Sequence, residues 1–336
     1  MTSGSPSSTP PAAPVSLGEF GRIRRFFAPL TGPAALGLAD DAAVLQAPPD
    51  GRLAITTDTL VAGVHYVGDE LPEMVARKAL RVNLSDLAAM GAEPIGYTLS
   101  LALPRSVDDS WVAAFAYGLH EDQRRFGLEL LGGDSVSTAG PVTITITALG
   151  RLDGPALTRS GAKAGDLICV SGTIGDGALG LEVAMGREAW PSDVAEALHD
   201  RYLLPHPRLG LGRALVGIAS AAMDVSDGLL QDLHHILEAS EVGGVVQAGA
   251  VPLSSAAQWV VDSDQERWLP RILAGGDDYE LLFTVSPDRL DMVNMVADRL
   301  TMAVSAIGTI VADSGLRVQA ADGTDLELKQ WGFRHF

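Results

Sequence analysis

The chain of 336 residues is long enough for about two domains, and with 47% apolar and 20% charged residues it can bury a core and is not disordered overall. Its 24 basic and 42 acidic side chains leave a net charge of −18, which argues against a general nucleic-acid or anionic-membrane surface. A phosphate-bearing substrate would be repelled unless cations intervened, and clustered carboxylates are the groups that would hold them.

Residues 1–16 are mostly Ser, Pro, Thr and Ala, without a basic start or an apolar core, and read as a disordered tail rather than a signal peptide. Leu17–Leu30 has helical spacing, with Phe20, Ile23 and Phe27 on one side. Its arginines read as a solvated basic face, with phosphate contact as the alternative. Gly37–Leu45 holds the acidic pair Asp40-Asp41 between small residues. Leu53–Val61 is a predicted strand rich in β-branched residues; it carries Thr56-Thr57-Asp58 and is followed by Gly63, Val64 and His65. A helix entered from Met74 runs through Arg81–Pro94 (RVNLSDLAAMGAEP) and stops at a Gly and a Pro-marked turn. Asp86 stands in its middle among Leu and Ala, beside Asn83 and Ser85. Asp is a poor helix former and is rarely buried unpaired, so it belongs either to a solvent face or to a site.

Ile95–Leu103 is a second strand, ending at Pro104, and Asp108–Phe126 has a helical pattern capped by Asp108 or Asp109. Leu128–Leu131 is a short strand running into Gly132-Gly133-Asp134, and Val142–Gly150 alternates strongly as a strand. Over Arg151–Gly165 the composition turns to Gly, Pro and polar residues, which places an N-terminal domain at 17–150 and a C-terminal one at 151–336. Leu167–Val170 is a strand, and Ser171–Gly180 a Gly-rich turn leading into a helix. Asp193–Leu204 and Arg208–Ala219 are helices, and Ala222–Gly228 is a short strand that breaks into a helix at Leu229. After Gly244–Val246 and Trp268–Leu273 come Gly275-Gly276-Asp277-Asp278, the strand Tyr279–Val285 and the helix Asp288–Leu300. Val304–Ile310, Leu316–Val318 and Leu326–Leu328 are weaker strands. This order gives no clean βαβ run and favours α/β structure of the α+β type, with a mixed sheet in each half. Cys169 is the only cysteine, so no intrachain disulfide and no cysteine metal site can form; it reads as a buried core residue, and a reducing cytoplasm fits. No apolar stretch reaches the length of a membrane span.

One arrangement recurs. A short apolar segment ends in small residues and then an acid, at Asp40-Asp41, Asp58, Asp134, Asp224 and Asp227, and Asp277-Asp278. Any one of these is most simply a cap or an Asx turn. As a set, twice in the form Gly-Gly-Asp, they favour a metal–phosphate site. Carboxylates joined by Thr or Ser hydroxyls, without a His or Cys cluster, suit Mg²⁺ rather than Zn²⁺. Gly175–Gly180 matches G-x-G-x-x-G between a strand and a helix, but the second strand and acid of a dinucleotide fold do not follow. No Gly-Lys-Ser/Thr phosphate loop and no protein-kinase motif is present.

The segments ADDAAV, TTDTLVAGVHY, RKALRVNLSDLAAMGAEP, LLGGDSV, LTRSGAKAGD, MDVSDGL, GGDDYEL and GFRHF, in order from Gly18 to Phe336, resemble the thiamine-monophosphate kinases. The wider superfamily includes aminoimidazole ribonucleotide synthetase, selenophosphate synthetase and a hydrogenase maturation factor. The resemblance implies a two-domain aminoimidazole ribonucleotide synthetase-like fold and a homodimer in which N-terminal half-sheets meet as a barrel. It implies direct transfer of the γ-phosphoryl of ATP to thiamine monophosphate, assisted by several Mg²⁺ ions. By position, Asp41, Thr56, Thr57, Asp58, Asp86, Asp134, Asp224 and Asp227 match metal-binding residues. Tyr117, Gly133, Asp134, Arg159 and Ser226 match ATP contacts, and His65, Asp277 and either Trp331 or Phe333 match the thiamine-phosphate side. No general base or covalent nucleophile is implied, because the acceptor oxygen is already anionic; Asp58, Asp86 and Asp134 would act through metal. Without the resemblance, His65 reads as a packing histidine and Arg159 as a surface arginine. Two departures stand out: Asp277 replaces the family's Glu, and Ala39 replaces a Gly before the first acidic pair. The competing readings are another ATP-using enzyme of the superfamily, disfavoured by these motif versions, and a non-catalytic Mg²⁺–nucleotide-binding regulator, disfavoured by the retained acids.

Overall fold

A computed structural model describes residues 19–38, 43, 45, 51–326 and 332. The chain enters through α1 (Glu19–Arg22), which continues as a π-turn over Ile23–Phe27 and a 3-10 turn over Ala28–Leu30. Then come β1 (Arg52–Val61), α2 (Pro72–Ala89), β2 (Glu93–Pro104), α3 (Asp109–Phe126), β3 (Glu129–Thr138) and β4 (Thr143–Leu152). The four strands form one sheet in the order β1-β4-β2-β3. β4 is antiparallel to both its neighbours, and β2 and β3 are parallel, joined across α3. Even-numbered residues of β1 and β4 turn inward, so Leu60, Ile144 and Ile146 pack with Leu80, Leu84 and Leu87 of α2. Odd-numbered residues line the other face, where Leu53 and Ile55 are exposed.

The second half contributes β5 (Leu167–Ser171), α4 (Asp176–Ala184), α5 (Ser192–Leu203), α6 (Leu209–Leu215), β6 (Ala221–Asp224), α7 (Leu229–Ser240) and β7 (Gly243–Gln247). After these come α8 (Ser255–Ser263), α9 (Gln265–Ala274), β8 (Leu281–Val285), α10 (Leu290–Arg299), β9 (Val304–Val311) and β10 (Gly315–Gln319). Its strands form a mixed six-stranded sheet in the order β10-β7-β9-β5-β8-β6, with β10 and β7 parallel. The order explains the absence of a repeated βαβ pattern: most neighbours in both sheets are antiparallel.

α2 joins the halves. Its N-terminal part packs on the four-stranded sheet, while Ala88 and Ala89 belong to a separate cluster with Leu211, Leu215, Phe283 and Val293. The contact with α6 is close enough to need glycine: a Cβ on Gly212 would lie 1.9 Å from the Ala88 carbonyl oxygen. Arg81, 1% exposed, makes a two-pronged ion pair with the fully buried Asp122 of α3, at 2.5 and 2.9 Å. Its remaining nitrogen donates to the carbonyls of Leu204 and Pro205 at 3.3 and 3.1 Å. One guanidinium thus ties α2, α3 and the end of α5 together. Arg77 adds a second donor to Asp122 at 3.1 Å.

Several sequence expectations are corrected. β3 does not end at Leu131 but runs through Gly132-Gly133-Asp134 to Thr138. Gly133 permits this, because a Cβ there would lie 1.9 Å from the Leu99 carbonyl oxygen of β2. β8 begins at Leu281 rather than Tyr279, because Asp277 (φ 71°) and Tyr279 (φ 53°) occupy the left-handed region, which no strand continues through. α6 stops at Leu215, and α8, capped by the Ser254 hydroxyl on the Ala257 N–H, lacked a distinctive sequence pattern. The weak strand expected at Leu326–Leu328 falls largely outside the described residues, as does the expected tail at 1–16.

Removing Asp122 would leave Arg81 charged and buried without its partner. Asp122→Ala is expected to lower unfolding stability by about 3–5 kcal/mol, read as a fall in the urea midpoint. Replacing Arg81 and Asp122 together with Met and Leu should recover much of that loss.

Candidate active site

α2 is buried on nearly every side: Leu80, Val82, Asn83, Leu84, Ser85, Leu87 and Ala88 are all inaccessible or nearly so. Asp86 therefore does not sit on a solvent face. With Val82 and Lys78, four and eight residues earlier, it forms the stripe of α2 that lines a cavity of about 1050 Å³. The other walls come from both sheets. β1 supplies Thr57 and Asp58, the turn after it His65, the end of β6 and its following loop Asp224, Ser226 and Asp227, and the loop before β8 Asp277 and Tyr279.

The Asn83-Leu84-Ser85-Asp86 segment builds much of this arrangement. Asn83 Oδ1 accepts the Asp58 backbone N–H at 3.1 Å, while its amide nitrogen donates to the Ala79 carbonyl at 3.0 Å. The Ser85 hydroxyl donates to Asp224 at 2.6 Å, and Asp86 accepts the Thr56 hydroxyl at 2.5 Å. A single helical turn thus fixes one acid from β1 and one from β6 while presenting its own.

The electrostatics follow from crowding. Burial, reinforced by the nearby Asp86 carboxylate, pushes the Asp58 pKa from its ordinary 3.8 up to about 6. Burial also raises Asp86, opposed by the Thr56 hydrogen bond and by the positive field of the exposed Arg159. Asp224, 5% exposed, is raised well above its ordinary value of 3.8 by burial first and Asp86 second. Such carboxylates gain from a cation between them. Among the described residues no three His, Cys, Asp or Glu side chains converge closely enough to hold a metal by themselves. The donor set fits Mg²⁺ in another manner, because Mg²⁺ usually takes only one or two carboxylates, keeps waters, and completes its shell with substrate phosphates.

Two acids that resemble site residues in sequence are structural. Asp278, 1% exposed, accepts the backbone N–H groups of Gly175 at 2.7 Å and Gly177 at 3.0 Å. Its carboxylate fills the turn that mimics a dinucleotide loop. Glu280 is buried against Arg201, Arg208 and the Ser171 hydroxyl. Asp232 accepts the N–H groups of Ser226, Asp227 and Gly228 and so shapes the loop that carries Asp227. Burial, then Asp227, nevertheless lifts its pKa to about 7.

Not every expected residue meets here. Gly133 and Asp134 line a separate cavity of about 150 Å³, walled by Phe27, Leu99, Leu101 and Leu130. Tyr117 is 60% exposed on α3 and lines neither cavity. Thr56 reaches the main site through its bond to Asp86. His65 lines the cavity and accepts the Val61 backbone N–H on Nδ1 at 3.0 Å. Asp41, Trp331 and Phe333 lie outside the described residues. Lys78 and Tyr279 were not anticipated; the four-residue spacing of Lys78, Val82 and Asp86 was the signal for the first.

A carboxyl with a higher pKa folded than unfolded binds more protons in the native state, so Asp58 costs stability as pH rises from about 4 to about 6. In chelator, Asp58→Asn is expected to raise the melting temperature at pH 7.5 and to lose that advantage towards pH 4. A lower melting temperature at pH 7.5 would contradict the crowding.

Residues 39–152 match the N-terminal domain, and 163–321 the C-terminal domain, of the AIR synthase related proteins. The thiamine-monophosphate kinase of Caulobacter vibrioides is 43% identical over 334 residues, 98% of this chain and 93% of that protein. The crystal structure of thiamine-monophosphate kinase from Stenotrophomonas maltophilia superposes with a TM-score of 0.79 at 39% identity, covering 86% of this chain and 91% of that one. A structure of AaThiL complexed with AMPPCP and TMP gives a TM-score of 0.76 at 31% identity, covering 95% and 97%. With both domains matched in order and these kinases aligned along nearly its whole length, the chain belongs to the thiamine-monophosphate kinase family of AIR synthase related proteins.

Proposed function

We propose that the protein transfers the γ-phosphoryl group of ATP to the phosphate of thiamine monophosphate, yielding thiamine diphosphate and ADP. The observation that carries this reading is the convergence of Asp58, Asp86, Asp224, Asp227 and Asp277 from both halves on one cavity. The kinship with a kinase solved with AMPPCP and TMP supports the choice of substrates.

In the reaction, the bond between the γ-phosphorus and the β–γ bridging oxygen breaks, and a new bond forms to an acceptor phosphate oxygen. That oxygen is already anionic, so no side chain needs to remove a proton. The protein's task is to hold two anions in line and to offset their charge. Asp58, Asp86, Asp134, Asp224 and Asp227, with Thr56 and Thr57, are the described residues assigned to hold Mg²⁺; Asp41 completes the set. Bound Mg²⁺ would neutralise charge on the transferring phosphates. Ser226 and Arg159 are assigned to ATP, with Gly133, Asp134 and Tyr117. His65 and Asp277 are assigned to the acceptor, together with Trp331 or Phe333.

A homodimer follows from the same reading. The four-stranded sheet is open on the face carrying Leu53 and Ile55, and Val136 of β3 is exposed as well. Pairing two such sheets into a barrel would cover that apolar surface. The two halves of the chain are assigned to 17–150 and 151–336. Among the described residues no helix is long and apolar enough to cross a membrane, in keeping with a cytoplasmic assignment.

Purified protein supplied with Mg²⁺, ATP and thiamine monophosphate is expected to form thiamine diphosphate and ADP in equal amounts, and chelation should stop it. Absence of product from folded protein would overturn the reading. Asp86→Asn should lower kcat by roughly a hundredfold while leaving the circular dichroism spectrum unchanged. Wild-type turnover in that variant would remove Asp86 from the site.

A further inference from the structure

Lys78 is 2% exposed, yet it lines the acid-walled cavity. The other described lysine or arginine side chains on that wall are Arg267 and Arg271 of α9, and both are engaged by glutamates, Glu188 and Glu182 respectively. Lys78 is held differently. Its ammonium sits 3.5 Å from the centre of the Tyr202 ring and 3.4 Å from Asp277 Oδ2. A ring face stabilises a cation without using it up, and 3.4 Å is a long contact for a charged hydrogen bond. An ammonium carries three N–H donors, so these contacts leave capacity for another acceptor. Burial draws the pKa of Lys78 down and Asp277 opposes this, so a second anion from the cavity would be favoured.

The position along α2 narrows what that anion is. Lys78 lies two helical turns, about 12 Å along the axis, from Asp86. Asp58, Asp86 and Asp224 line the same cavity as Lys78 and Asp277, and the spacing along α2 sets the Lys78 side chain apart from Asp86. We infer that the Lys78 ammonium is a binding group for the phosphate of the acceptor, seated by the Tyr202 ring and directed jointly with Asp277. Asp277 holds Lys78 at the cavity wall, and an incoming phosphate is its stronger partner. Lys78 would thereby select a phosphorylated acceptor over the same molecule without phosphate. This inference rests on the proposed reaction.

The test compares thiamine monophosphate with thiamine as ligands for the full chain, by calorimetry with Mg²⁺ and AMPPCP. In the wild type the phosphorylated ligand should bind more tightly. In Lys78→Met that preference should shrink by roughly tenfold to a hundredfold, with thiamine affinity unchanged. A preference equal to that of the wild type, or an equal loss for both ligands, would overturn the inference and leave a purely structural lysine. A second measurement needs no variant. Lys78, Lys163 and Lys329 are the only lysines, and the Tyr202 ring should move the Lys78 side-chain resonances upfield in lysine-labelled protein. Those resonances should shift with thiamine monophosphate and not with thiamine; the same response to both would also overturn it. Failure of the wild type to form thiamine diphosphate would instead count against the proposed reaction, while the binding preference is read separately.

Discussion

The active-site architecture depends on keeping α2 buried on almost all sides while one stripe of it stays open to the cavity. A helix in that position cannot solvate its polar groups, so each must find a partner within the protein. Arg81 is the largest of these demands. Its fork onto Asp122 and its contacts to the Leu204 and Pro205 carbonyls satisfy the charge and lock α2 against α3 and the end of α5. Asn83 and Ser85 meet their own demands by holding Asp58 and Asp224. The interactions that make the helix tolerable inside the protein are also those that assemble the site.

The result is a cavity whose acids are destabilised by one another. The same burial that fixes Asp58, Asp86 and Asp224 raises their pKa values. A protein built for stability alone would place Asn or apolar side chains there. Retaining carboxylates makes sense where a cation and phosphates complete the charge balance. The basic groups are distributed accordingly. Arg201 and Arg208 are committed to Glu280, Arg81 to Asp122, and among the described residues Lys78 is the buried cation that faces the cavity.

Much of this was legible from residue order. Strands β1, β2 and β4 of the first sheet, the α2 and α3 helices, and the Asp108 cap emerged from periodicity and end signals close to their observed bounds. The acids were visible as a recurring pattern of small residues followed by Asp. Where the reading failed, close backbone contact was the cause. Gly132-Gly133 looked like the end of a strand, but the glycines let β3 pass tightly along β2. Tyr279 looked like the start of β8, but its left-handed backbone turns Asp277 and Tyr279 towards the cavity. Asp278 and Asp277 are adjacent in sequence and opposite in role, one filling the Gly175–Gly177 turn and one facing the site.

The amino-acid sequence by itself determined the family and marked the candidate acids, because the Asn-Leu-Ser-Asp helix and the Gly-flanked acids are local patterns with local chemical meaning. Only the tertiary structure decided which acids share a cavity. It separated Asp134 from Asp86, put Asp278 and Glu280 into the framework, and brought Lys78 to the side of Asp277, 199 residues away. The physical reason is that proximity between strand ends is set by sheet order and helix packing. Those depend on contacts between distant segments and leave no periodic trace in the chain.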